Sequence, residues 1–487
     1  MLNDESLDPN DWNDFGRLSH QIIDDMLNYL ETVRERPVWQ PIPNDVKNFF
    51  KKSVPKDPEE AREIYQDFLE KILPYPLGNT HPRFWGWVAG TGTPFAMLAE
   101  LLTAAMNANL AGGEHIANYV EAQVINWFKE IMDFPLTTSG LLTSGCSMAN
   151  LIGLTVARNA KARVNVKNEG LHAGAQMVVY GSVETHSSIQ KAIELLGLGS
   201  QAFRKIEVDD DFQINLESLT SQIATDKENH LQPFCIVGNA GTINTGAFDD
   251  LQALTAICRQ EDLWFHIDGA FGAWAKLSPK LSSLTRGLEK ADSLAFDLHK
   301  WMYMPYAVGC VLIQHENSHR RAFAFRADYV DDTIGGIAAG EHWFGKYGVQ
   351  LSRRFSALPI YMDIRRNGIQ KYGRMIQRNL DQAQYLAERV RSTPNLEILA
   401  PVPSNIVCFR YKPANFNEKA LNDLNRELLK KLHESGVAAP SNTMIGKNFA
   451  LRAAIANHRS RKEDFDLLVD VVIKIGKELA PDNPQNR

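Results

Sequence analysis

The stretch SLAFDLHKWMYMPYAVGCVLI, residues 293–313, sets a lysine, Lys300, between a short apolar run and a longer one, with His299 beside it. Flanks of this kind read as backbone entering a core. A lysine held there loses its charge more readily than a surface one, which suits it to imine chemistry with a carbonyl. Taken alone, Lys300 reads as well as a side chain that snorkels to solvent. Three other stretches bear on the choice. In WFHIDGAFGAW, Asp268 follows a buried-looking strand with small residues behind it. A carboxylate there needs a partner, because an unpaired buried charge costs several kcal/mol or neutralises itself, although a capping role fits equally. In YGSVETHSSIQKA, His186 also follows a strand and is either chemical or a structural hydrogen-bonder. In LLTSGCSMANLIGLTVARNA a small, Gly-containing turn runs into a helical pattern. There the N–H groups of Gly145, Cys146 and Ser147, with the Ser147 hydroxyl, can hold a phosphate; an ordinary N-capped helix is the alternative. The Gly-Lys-Ser/Thr ending of a nucleotide loop is missing, so no nucleoside triphosphate is implied.

Together, a phosphate cradle, an aspartate, an imidazole and a lysine meet the needs of pyridoxal 5′-phosphate (PLP). The lysine amine binds the aldehyde, the aspartate keeps the pyridine nitrogen protonated, and the imidazole stacks on the ring.

Such groups must be carried to one place by a scaffold. Short β-type runs, MVVYG, FCIVGNAG, LWFHIDGA, SLAFDL and AVGCVLIQ, alternate with helical stretches between about 81 and 360. Apolar runs without polar alternation predict strands buried on both faces, hence a largely parallel α/β sheet with ligands outside its carboxyl ends. Residues 1–80 read as a helical arm too small to close its own core. GRLSHQIIDDMLNYLETVRER has helical spacing, and DPEEAREIYQDFLEKILP offers Asp57 as N-cap with Pro58 at the first helical position. Residues 361–487 read as a smaller α+β domain opened by one long helix, YMDIRRNGIQKYGRMIQRNLDQAQYLAERV.

The 487 residues carry a net charge of −6 and scattered positive charge, which points away from nucleic acid. The start, MLNDESLDPNDWNDF, is acidic and is not a secretory signal, and the longest uncharged stretch is too short and broken to span a bilayer. The five cysteines are widely spaced, without a C-x-x-C pair, so neither a disulfide framework nor a metal site is expected. The default expectation is a cytoplasmic enzyme.

The ordered set HPRFWGWV, TSGCSMANL, THSSIQKA, GNAGTINTGAFDD, HIDGAF, DLHKW and SRRFSALPIYM resembles the group II PLP-dependent amino acid decarboxylases, the family of aromatic-L-amino-acid, histidine and glutamate decarboxylases. The resemblance covers nearly the whole chain. It implies the fold-type I architecture, with a mostly parallel seven-stranded sheet, and a homodimer whose site is shared and whose N-terminal arm wraps the partner. Carried over by position, Lys300 is the imine lysine, Asp268 the pyridinium partner, His186 the stacking ring and Ala270 the packing group on the other face. Cys146, Ser147 and His299 contact the phosphate, Thr242 lies in the cofactor and carboxylate region, and Arg452 matches an arginine that holds the substrate carboxylate in glutamate decarboxylases. The implied reaction is loss of CO2 from an L-amino acid to leave the amine.

The chain departs from the family pattern in the loop, and its substrate side is a second open point. The mobile loop of the family carries a tyrosine that protonates Cα, whereas counting back from SRRF the matching place here is Phe344, with Tyr347 three residues on. Members with phenylalanine there form an aldehyde, ammonia and peroxide, so an aldehyde synthase is the alternative to a decarboxylase unless Tyr347 or another acid serves. The glycine-rich segment DDTIGGIAAGEHW is expected to be mobile and to close over substrate. For the substrate, Trp85 and Trp87 suit an aromatic side chain, while Asn109 and Ala111 are nearer the glutamate decarboxylases. An aromatic amino acid is the first choice and glutamate the second. A cofactor-binding scaffold without turnover is a third possibility, opposed by the intact set of Lys300, Asp268 and His186.

Overall fold

The computed structural model describes residues 6–172, 174–324 and 335–480. Its strands in chain order are β1 (Phe84–Trp85), β2 (Ser139–Thr143), β3 (Met177–Ser182), β4 (Phe203–Ile206), β5 (Gln232–Asn239), β6 (Trp264–Asp268), β7 (Ser293–Asp297), β8 (Gly309–Ile313), β9 (Leu396–Ile398), β10 (Ile406–Tyr411), β11 (Ala439–Ile445) and β12 (Asn448–Ala454). The larger sheet has seven strands in the order β2-β8-β7-β6-β5-β3-β4. Strands β3 to β7 run parallel where they pair, and β8 is antiparallel to both of its neighbours. Every residue of β2, β3, β6, β7 and β8 is buried, as expected of strands covered on both faces. All five quoted β-type runs contain strands; β2 and the edge strand β4 are additional, short and without an apolar run of their own.

This topology decides where chemistry happens. Because β2 and β8 are antiparallel, β2 points the same way as β7. The ends of β2, β3, β5, β6 and β7 therefore share one edge of the sheet; Asp268 is the last residue of β6, and the turns after β2, β3 and β7 carry Ser144–Ser147, His186 and Lys300.

The smaller sheet runs β1-β11-β12-β10-β9, antiparallel except that β1 adds in parallel to β11. Trp85 of β1 is fully buried in the core of this second unit, stacked on Phe465 with centroids 4.8 Å apart and donating from Nε1 to Ser460 Oγ at 3.0 Å. It is a packing residue and is not available to a substrate ring.

The helical expectations are met with two differences. The first arm helix spans Trp12–Glu31 behind the N-cap Asp11. The second begins only at Ala61, behind an extended Glu60 rather than Asp57. The single long helix expected beyond 360 is two, Ala357–Asn367 and Ile369–Ser392. Gly368 between them has φ 69°, a left-handed conformation that ends a helix and that glycine adopts without steric cost. No helix among the described residues is long and apolar enough to cross a membrane.

Candidate active site

At the carboxyl edge lies a cavity of ≈ 290 Å³ whose walls include Ser144–Ser147, His186, Asp268, Ala270, Asp297, His299, Lys300 and Tyr306. Its floor is the start of the helix Cys146–Lys161. Gly309 of β8 backs that start so closely that an added Cβ would lie 2.7 Å from Gly145 C and 2.9 Å from Cys146 N. Ser144 and Ser147 are exposed on the cavity side of the turn. A tight backbone turn, a helix N-terminus and two hydroxyls are what a phosphate monoester needs.

Lys300 Nζ lies 2.9 Å from Asp297 Oδ2, with 19% of its side chain exposed. Burial alone would lower its pKa. The Asp297 carboxylate outweighs that effect and pushes it up to about 12. The carboxylate three residues before it thus favours the ammonium form of the lysine, against the sequence expectation of easy charge loss, which left that carboxylate out. Asp297 also accepts the Cys146 N–H at 2.6 Å through Oδ1 and stands 3.6 Å from His299 Nε2. Its backbone carbonyl accepts the Trp274 indole N–H at 2.8 Å, which anchors the end of β7.

Asp268 is 6% exposed and is held by uncharged donors. Oδ1 accepts the Ala270 N–H at 3.1 Å and the Cys146 thiol at 3.5 Å, and Oδ2 accepts the Asn150 amide at 2.9 Å. His186 caps the helix Ser187–Leu195. Its Nδ1 accepts the Ser188 N–H at 3.2 Å and lies 2.8 Å from Ser188 Oγ. Burial lowers the pKa of His186, with Asp268 opposing, and it lowers that of His299 too. The His299 ring packs at 4.3 Å on Tyr306, which is half exposed at the cavity wall.

The structure thus brings together Lys300, Asp268, His186, Ala270, Cys146, Ser147 and His299. The remaining expected residues sit elsewhere. Thr242 is buried in its own turn, where its hydroxyl accepts the Ala247 N–H at 3.1 Å. Arg452 is 2% exposed and makes four hydrogen bonds, to the carbonyls of Trp87, Ile243 and Asn244 and to Ser441 Oγ. That guanidinium clamps backbone, with four of its five N–H donors used inside the protein. Trp87 is 56% exposed beside Phe84 and Phe449, on a different groove. Asn109 is exposed, and its Oδ1 accepts the Arg353 N–H at 3.0 Å. Phe344 is buried, with the Arg353 guanidinium 5.3 Å above its ring, and the Tyr347 hydroxyl donates to Glu316 at 2.6 Å. Residues 331–334 of the expected closing loop lie outside the described residues. Its later part is tied down where the Glu114 N–H reaches the Ile337 carbonyl at 3.0 Å.

Sequence reasoning missed Asp297, Asn150, Ser188 and Tyr306. Asn150 had a readable signal, since it falls one helical turn after Cys146 on the same face, a polar residue among apolar ones. Among the described residues no group of three or more His, Cys, Asp or Glu is placed to hold a metal ion.

A lysine, a buried carboxylate and an anion-binding helix start, gathered at the carboxyl edge of this seven-stranded sheet, define the class of fold-type I PLP enzymes. Comparison with known proteins gives the family. Residues 43–412 match the model described as the pyridoxal-dependent decarboxylase conserved domain. Over 470 residues the chain is 32% identical to an aromatic-L-amino-acid decarboxylase of Bacillus atrophaeus, covering 95% of each. It is 28% identical over 468 residues to a phenylacetaldehyde synthase of Arabidopsis thaliana, covering 92% of this chain and 93% of that one. The crystal structure of Oryza sativa TDC with PLP and tryptamine has the same fold, with a TM-score of 0.91 at 22% identity over 98% of this chain and 100% of that one. The chain belongs to the pyridoxal-dependent decarboxylases and is a PLP-dependent amino acid decarboxylase.

Proposed function

We propose that the chain decarboxylates an aromatic L-amino acid to CO2 and the corresponding amine, with Lys300, Asp268 and His186 as its working groups. One observation carries this reading. Those three side chains meet an anion-binding turn in one cavity of a chain that is 32% identical, over 95% of its length, to an aromatic-L-amino-acid decarboxylase. When bound, PLP supplies an aldehyde for a lysine amine and a protonated ring that takes up the electrons left as CO2 departs. Lys300 must first give up the proton that Asp297 Oδ2, 2.9 Å away, favours keeping. Asp268, whose two oxygens are fixed by neutral donors, offers a stationary negative charge that holds a proton on a ring nitrogen. His186, uncharged, gives a flat face without competing for that charge.

A second copy of the chain completes the site in this reading. Leu101, Leu102, Met106 and Ile116 are all about half exposed or more, as are Trp12 and Phe15 of the arm, an apolar surface that a lone protomer would leave in water. The exposed Trp87 and Asn109 then face substrate across the subunit boundary.

The competing product is an aldehyde. The loop argument for it rests on Phe344, whose ring is committed to packing under Arg353, and the glutamate argument rests on Arg452, four of whose five N–H donors are already taken within the protein. Tyr347 is bound to Glu316, and the other tyrosine of the segment, Tyr329, lies outside the described residues. The test is product analysis with holoenzyme on aromatic and acidic amino acids. Amine and CO2 in equal amounts from an aromatic acid support the proposal. Aldehyde with peroxide, or turnover of glutamate alone, overturns it. Tyr329→Phe and Tyr347→Phe variants, scored for amine against aldehyde, identify the proton donor.

A further inference from the structure

Behind the cavity runs a chain of buried polar groups that the proposed chemistry does not use. The Trp264 indole Nε1 lies 2.8 Å from Ser293 Oγ, Ser293 Oγ lies 2.7 Å from His266 Nδ1, and His266 Nε2 lies 2.9 Å from Asn150 Oδ1. From Asn150 Nδ2 the chain branches, to Asp268 Oδ2 at 2.9 Å and to Ser188 Oγ at 3.1 Å, and Ser188 Oγ meets His186 Nδ1 at 2.8 Å. His266, Asn150 and Ser293 are fully buried. Water therefore does not compete for the bonds among these three.

The two ends fix the direction. An indole N–H only donates, and an ionised carboxylate only accepts. Asp268 takes an amide N–H of Asn150, so Asn150 Oδ1 faces His266 Nε2 and the proton of that bond is on Nε2; Ser293, which accepts from Trp264, then gives its own proton to Nδ1. His266 is neutral, because burial pushes its pKa down to about 4 against the opposing charge of Asp268. Its one ring proton is therefore on Nε2 and is donated to the Asn150 carbonyl oxygen. That bond turns the amide nitrogen towards Asp268 and Ser188. The opposite amide orientation would set Oδ1 against the Asp268 carboxylate, two acceptors face to face. Gly153 belongs to the same arrangement, since a Cβ there would lie 2.7 Å from His266 Cε1 and 2.8 Å from Nδ1, where the ring must pack.

We infer that His266 and Asn150 are positioning residues for Asp268: the Nε2–H of His266 locks the Asn150 amide, and the locked amide fixes one carboxylate oxygen while the Ala270 N–H fixes the other. The branch through Ser188 acts together with the Ser188 N–H, and both require that His186 Nδ1 accept, so the His186 proton sits on Nε2. The inference rests on the role of Asp268 proposed above.

The test compares His266→Leu, which keeps bulk and removes the donor, with His266→Gln, whose amide nitrogen reaches the Nε2 position. PLP is titrated into cofactor-free protein and followed by visible absorbance, with Asp268→Asn as the reference. His266→Leu is expected to weaken PLP binding by about tenfold or more, the worth of one hydrogen bond to a charged group. His266→Gln is expected to recover most of that loss. Wild-type binding by His266→Leu, or equal damage in both variants, overturns the inference. An Asp268→Asn variant indistinguishable from wild type removes the role of Asp268 instead. Nitrogen NMR of histidine-labelled wild-type protein needs no variant to fold. Proton-bearing Nε2 and bare Nδ1 at His266 support the inference, and a proton on Nδ1 overturns it.

Discussion

Replacing Gly309 by alanine tests the phosphate cradle with one methyl group. The new Cβ would lie 2.7 Å from Gly145 C, 2.9 Å from Cys146 N and 2.9 Å from Asp297 Oδ1. Unstrained contacts between carbon atoms fall near ~3.5–4 Å, so strand and turn must part by roughly 0.5–1 Å. Two of the three contacts are backbone, and the third is a carboxylate already bonded to Cys146 N and Lys300 Nζ, so no flexible side chain can absorb the shift. Overpacking of this kind costs about 1–3 kcal/mol. The displaced element is the anion-binding turn itself, and misplacement by ~1 Å in such sites costs up to about 100-fold. The expected result is a fall of a few degrees in Tm with PLP affinity weakened by ~10–100-fold, read by absorbance titration of cofactor-free protein. Gly16→Ala is the control. Gly16 lies inside the helix Trp12–Glu31 with no heavy atom near its would-be Cβ, so alanine should stabilise by ~0.5–1 kcal/mol and leave PLP binding unchanged. If Gly309→Ala binds PLP within about threefold of wild type, the close approach of strand and cradle does not govern cofactor binding and the reasoning fails.

Three further outcomes follow from the same structure. Buried His319, whose pKa burial lowers to about 3, bonds Ser139 Oγ and the Tyr347 carbonyl. Its unfolded form takes up a proton near pH 6.5 and its folded form does not, so stability is full above that pH and falls as pH drops towards 3. At pH 5 the loss is about 2 kcal/mol, and His319→Gln should flatten that part of a Tm-against-pH curve. Arg452→Met should lower stability by several kcal/mol, because three buried carbonyls lose their donors, yet leave the preference between aromatic and acidic substrates unchanged; a selective loss of one substrate would return Arg452 to the binding site. In sedimentation the wild-type chain should run as a dimer, while a double Leu101→Asp, Leu102→Asp variant should shift to monomer and lose turnover; an active monomer would remove the shared-site reading.

The sequence by itself determined five of the seven strands of the larger sheet and the places where function-bearing side chains leave it. Unbroken apolar runs identify buried strands locally, and Asp268 and Lys300 follow two of them directly. What it left open was how polar groups far apart in the chain would be paired. Asp268 meets Asn150 across 118 residues, and Asp297 meets the Cys146 N–H across 151. Neither partner is implied by local periodicity, since which donors face a buried carboxylate depends on how a helix is rotated against the sheet. The same reason explains the residues that moved. Trp85, Phe344 and Arg452 have side chains suited to a substrate, but each lies where a second element packs over it. Burial spends the two rings on core contacts and the guanidinium on backbone carbonyls. Lys300 shows both sides. Its position is legible from the apolar runs on either side, whereas its charge was decided only when folding set Asp297 2.9 Å away.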